Sequence, residues 1–147
     1  MHTKKVTSRI CLREAFFCHI CCMSKRYSKN FETWEFDSKD GVPVPIEYVK
    51  NLKLLCKVLE IIRMLLGVAI NINSGYRSPA WNRQVGGSKD SFHMKGMAAD
   101  LWTEKYSPAF IGRLLMLLSA MELIPKGGIH VYETFVHYDI RGYSARW

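Results

Sequence analysis

The sequence lacks any apolar run near the ~20 residues that span a bilayer. Its richest stretch, Val58 to Ile72, is broken by Arg63 and Gly67, so a membrane-spanning chain is excluded and a soluble one expected. A disulfide framework is missing too. Of five cysteines, Cys11, Cys18, Cys21 and Cys22 crowd toward the N-terminus and only Cys56 lies further on, a distribution that cannot staple a small secreted fold. Cys18-x-x-Cys21 beside His19 makes half a zinc site, but the second spaced pair that a four-ligand structural site needs is absent. The apolar patch Ala15 to Met23 follows Arg13 and Glu14 and leads to no clear small-residue cleavage site, a weak pattern for a signal peptide. Internal repeats and low-complexity segments are absent as well.

Acidic residues are scarce at one end. Residues 1–30 hold seven bases (Lys4, Lys5, Arg9, Arg13, Lys25, Arg26, Lys29) and one acid, Glu14, so most of the net charge of +8 belongs to this segment. We read residues 1–30 as a basic, cysteine-containing extension, with Met23 as an alternative natural start, and 31–147 as one domain. A basic tail attracts anions, including nucleic acid, membrane surfaces and cell-wall polymers. The remainder carries 14 bases against 12 acids without a basic stripe, so no nucleic-acid partner is expected.

What is present is a mixed pattern. Apolar residues at helical spacing (Val49, Leu52, Leu55, Val58, Leu59, Ile62, Leu65, Leu66) predict a helix over Ile46 to Leu66, closed by Gly67. Val68 to Asn73 alternates as a half-buried strand, Trp81 to Lys95 has loop composition, and Met97 to Trp102 reads as a second strand. A second helix over Pro108 to Leu123, a Gly127-Gly128 turn and strands Ile129 to Tyr132 and Phe135 to Ile140 complete the domain. This order predicts an α+β fold.

Residues two apart on a strand share a face, so His137 and Asp139 point one way while Val136, Tyr138 and Ile140 point the other. By the same rule Asp100 goes with Ala98, leaving Leu101 to the core. His93 lies seven residues before Asp100 on a loop-to-strand path that can bring imidazole and carboxylate together. Two histidines and one carboxylate suit zinc and leave a position open for water. Spacing alone does not name an enzyme.

Further motifs join these residues. Ser91-Phe-His93-Met-Lys-Gly96-Met-Ala98-Ala-Asp100, followed by Phe135-Val-His137-Tyr-Asp139, resembles the zinc D-Ala-D-Ala carboxypeptidases and related peptidoglycan endopeptidases of M15 type. Ser74-Gly-Tyr-Arg-Ser-Pro79, Asn82, Val85-Gly-Gly87 and Gly127-Gly-Ile129 extend the resemblance over roughly Phe31 to Trp147. It implies a hedgehog/DD-peptidase-like fold, a small, mainly antiparallel sheet packed with helices. It also implies zinc (Zn2+) on His93, Asp100 and His137, Arg77 receiving a substrate carboxylate or carbonyl, and Ser91 hydrogen-bonding substrate. The implied substrate is a peptidoglycan stem peptide, cut by a carboxypeptidase or by a cell-wall endopeptidase of endolysin type. The implied place of action is the bacterial cell wall, reached from the periplasm, from outside or by phage delivery.

The proton-transfer residue stays open. Relatives commonly place an acid or histidine shortly before the last ligand; here Glu133 precedes His137 by four residues, and the position three before is Thr134. Glu133 is the first choice, with Asp139 as base or as orienting partner of His137, and His130 as a further candidate. A zinc-bound binding module without catalysis is the competing reading.

Overall fold

Pro45 holds extended backbone (φ −58°, ψ 144°) before a 3-10 turn at Ile46–Tyr48, and only then does helix α1, Val49–Leu66, begin. The first turn of the expected helix is thus wound as a tighter 3-10 turn. The computed structural model describes residues 26–147; the Cys18-x-x-Cys21 half-site and the patch Ala15 to Met23 lie outside the described residues. Residues 26–30 run directly into the fold: Tyr27 packs edge-on against Phe36, and Ser28 and Asn30 hydrogen-bond to Glu60 of α1.

Helix α1 buries Leu52, Leu55, Cys56, Val58, Leu59, Ile62 and Leu66, a stripe at three- and four-residue spacing. Leu65, expected on that stripe, is 52% exposed, and Cys56 occupies the core instead. Each fully buried large side chain contributes about 1.5–3 kcal/mol, so this face anchors the fold. Gly67, in left-handed conformation (φ 65°), ends the helix as its composition suggests.

Four strands form one antiparallel sheet: β1 (Asn71–Ser74), β2 (Ala98–Trp102), β3 (Ile129–Val131) and β4 (Val136–Asp139), in spatial order β1-β2-β4-β3. The α+β class follows the expectation. Strand β1 is shorter than predicted and shifted toward Ser74, because only Asn71, Ile72 and Ser74 find partners on β2, across a bulge. Ala99, Leu101, Val136 and Tyr138 turn to the core shared with α1. Helix α3, Pro108–Ala120, packs on β3 and β4; Ser107 caps its start and Pro108 occupies its first turn. It ends before Leu123 because Glu122 adopts a left-handed φ of 58°.

The segment expected as loop, Trp81 to Lys95, holds more order than its composition suggests. Helix α2, Pro79–Gln84, starts on a Ser78 cap with Pro79 at its first position, and a 3-10 turn forms at Phe92–Lys95. Gly96 closes that turn at φ 62°, where an added Cβ would lie 3.1 Å from Cβ of Tyr48. Glycine is required on both counts. No described helix is long and apolar enough to cross a membrane.

Candidate metal centre

Sheet register sets the site. Ser74 stands opposite Asp100, Asp100 opposite His137, and His137 opposite His130. Directly opposed residues share a face, so these four side chains form a row across the sheet. The 3-10 turn Phe92–Lys95 delivers His93 onto that row. His93, Asp100 and His137 are 2%, 3% and 8% exposed, and one donor atom from each lies within 4.8 Å of the others.

The inward atoms are closer still. His93 Nε2 lies 3.1 Å from His137 Nδ1 and 3.2 Å from Asp100 Oδ1, and His137 Nδ1 lies 3.0 Å from Asp100 Oδ1. The outward atoms have partners of their own. His93 Nδ1 donates to the Gly75 carbonyl at 2.7 Å, His137 Nε2 donates to Asp139 Oδ2 at 3.1 Å, and Arg77 donates to Asp100 Oδ2. A carbonyl and a carboxylate only accept, so the outer nitrogens carry the ring protons. Neutral rings then aim two nitrogen lone pairs and a carboxylate oxygen at one point. That arrangement is repulsive unless a cation or a proton occupies it. Tetrahedral N and O ligands at 2.0–2.1 Å from zinc stand about 3.3 Å apart, close to the spacing seen, and each ligand already has the outer partner that metal-binding residues use. The residues fit zinc.

For Asp100 and His93 the electrostatics agree. Burial works to raise the Asp100 carboxyl, but the His137 and His93 rings beside it outweigh burial and hold the group well below the usual carboxylate range. Burial drives His93 down, favouring the neutral ring a metal needs. His137 is pulled down by burial yet ends above its ordinary value, because Asp100 and Asp139 both stabilise its protonated form.

The remaining candidates are placed differently. Arg77 spends Nε on Ser74 Oγ (2.9 Å) and one terminal nitrogen on Asp100, while still lining, with His93, Asp100 and His137, a cleft of about 580 Å³. Ser91 lines the same cleft and makes no side-chain cap for its turn. Glu133 is exposed at the turn joining β3 and β4, between the cleft-lining Tyr132 and Phe135. Asp139 is fully buried and accepts five hydrogen bonds, from His137, the Gly128 and Arg141 backbone, and twice from the Arg141 guanidinium. His130 stacks on Trp147 with ring centroids 5.5 Å apart, and its Nδ1 has no partner.

The roles of two residues at the site are not evident from the sequence. Arg141 pairs with Asp139, and Gly128 passes so close that an added Cβ would fall 2.4 Å from Asp139 Oδ2 and 2.7 Å from the Arg141 guanidinium. The alternation that joins His137 to Asp139 points to Arg141 when carried two residues further. For the glycine the signals were the Gly127-Gly128 pair, whose composition suggests a turn, and its place in the Gly127-Gly-Ile129 motif.

Comparison with known families gives one match: the family described as Peptidase M15 covers residues 27–139, well over half of the chain. No curated protein matches the chain.

Proposed function

The chain belongs to the peptidase M15 family, and from that premise we propose that it hydrolyses amide bonds in peptidoglycan stem peptides at a zinc centre held by His93, Asp100 and His137. The observation that carries this reading is the convergence of His93 Nε2, His137 Nδ1 and an Asp100 oxygen, 3.0–3.2 Å apart, in the lining of a cleft, with an outer partner behind each side chain. Zinc held there supplies a Lewis acid that polarises the scissile carbonyl and lowers the pKa of water toward ~7.

The chain's own residues do the rest. Arg77 has N–H groups left over after Ser74 and Asp100 are served, and its planar fork suits a substrate carbonyl or carboxylate. The hydroxyl of Ser91 hydrogen-bonds the peptide. Phe92, Tyr132 and Trp147 wall the cleft and shield the reacting bond from bulk water. Glu133, exposed on the turn between β3 and β4, takes a proton from the attacking water and returns it to the leaving amine. Asp139 acts as the partner that orients His137, since none of its oxygens is left to accept a further proton from solvent.

A second reading, a zinc-bound binding module without catalysis, draws support from the exposure of Glu133 and the full engagement of Asp139. Metal analysis combined with mass spectrometry of peptidoglycan fragments separates the two. The wild type is expected to hold zinc and cleave; His93→Ala loses both. Glu133→Gln keeps zinc and slows about 10²–10⁴-fold, the usual contribution of a general base. Zinc without cleavage selects the binding module, and a wild type without zinc refutes the site. Products short of one terminal residue identify a carboxypeptidase, and separated stem fragments an endopeptidase acting at the cell wall.

A further inference from the structure

We propose that Arg141 is a positioning residue of the metal centre, which through Asp139 holds the His137 ring with Nδ1 turned toward His93 and Asp100. This rests on the zinc reading above but concerns a residue which that reading does not use. An imidazole on a strand can rotate about its Cβ–Cγ bond, and its proton can move between nitrogens; a metal needs one orientation and one tautomer. Among the described residues the one outer hydrogen-bond partner of His137 is Asp139 Oδ2, so the ring is as well fixed as that carboxylate is.

Arg141 fixes the carboxylate from three sides. Its Nε donates to Oδ1 at 2.8 Å, its terminal nitrogen to Oδ2 at 2.6 Å, and its backbone N–H to Oδ1 at 3.1 Å. A bidentate fork defines the plane of a carboxylate in a way a point charge cannot. The guanidinium is itself held between rings, 4.4 Å from Phe92, 5.4 Å from Trp147 and 5.5 Å from Tyr143. Phe92 adjoins His93 in sequence, so Arg141 touches both histidine-bearing segments. The backbone is shaped around this pair: Gly128 has no room for a Cβ there and donates its own N–H to Asp139. A buried carboxylate needed only for stability would be served by any countercharge, whereas this one is served by a fork, a stack and a glycine, with its remaining oxygen lone pair on a ligand.

The test is zinc affinity by competition with a chelating chromophore, on the full chain, for wild type, Arg141→Gln and Arg141→Lys. Lysine keeps the countercharge, and with it the fold, but not the fork or the stack. Both variants are expected to bind zinc about 10–100-fold more weakly, the usual loss when an outer-sphere partner is removed. In zinc-loaded protein the His137 Nε2–H resonance should exchange slowly in wild type and faster in both variants, a signature that a merely structural role for Arg141 would not move. Affinities for Arg141→Lys within twofold of wild type, with unchanged exchange, overturn the inference while leaving the peptidase reading intact. A wild type that takes up no zinc overturns both. Zinc uptake with the expected variant losses but no peptide cleavage removes only the peptidase reading.

Discussion

Single atoms decide the character of this site. Gly128 shows how: the Gly127-Gly128 pair looks in sequence like a turn chosen for flexibility, yet its role is clearance. A Cβ at Gly128 would stand 2.4 Å from Asp139 Oδ2, a distance that forces the carboxylate or the backbone to move. Gly128→Ala is expected to cost about 1–3 kcal/mol, typical of overpacking, and to weaken zinc binding in parallel. Denaturant melts and a zinc titration on the same variant check this; unchanged values in both would mean that the Asp139–Arg141 pair tolerates displacement. His93, Asp100 and His137 were legible as residues because strand alternation and the motif name them. Their tautomers were not legible, because these depend on the Gly75 carbonyl and Asp139 as partners, and one of those is eighteen residues from its ring.

Between elements, Glu60 on α1 ties down the segment that leads into the domain. It accepts from Ser28 Oγ at 2.7 Å, from the Asn30 backbone at 2.7 Å and from Asn30 Nδ2 at 2.6 Å. Partial burial works to raise this carboxyl, but the three donors prevail and leave it below the ordinary glutamate range. A carboxyl depressed on folding contributes stability that is complete above its unfolded pKa, near 4.3, and is lost as pH falls through the lower folded value. Glu60→Gln should therefore cost about 1 kcal/mol at neutral pH, a discounted figure for charged hydrogen bonds partly open to water. The difference from wild type should shrink once the pH is well below 4.3. Urea midpoints across that range test it, and a constant difference would show that ionisation of Glu60 plays no part. Helices α1 and α3 were readable from their periodicity, whereas α2 was hidden by its polar composition, although Ser78-Pro79 is a start signal.

Across the whole molecule, the His93–Asp100–His137 cluster joins β2, β4 and the 3-10 turn Phe92–Lys95, so an ion held there would tie together parts remote in sequence. Zinc that binds only the folded chain stabilises it by mass action, about 4 kcal/mol at a thousandfold excess over Kd. For a domain of this size that corresponds to a rise in Tm of roughly 10 °C. Calorimetry with and without chelator measures it. An unchanged Tm on chelation, with metal loss verified by elemental analysis, would mean that the cluster folds independently of the ion.

The sequence by itself determined the class of fold, the two long helices, the faces of the strands and the three candidate ligands. Each of these is written in local periodicity or in a motif of short reach. Only the tertiary structure decided what the polar groups do to one another. It set Asp139 in hydrogen bonds to His137 and Arg141, left Glu133 exposed on the turn between β3 and β4, and made Gly128 a matter of space. The physical reason is that hydrogen bonds, tautomers and clearances depend on distances between chain segments, and those distances exist only after sheet register and the returning turn have brought the segments together.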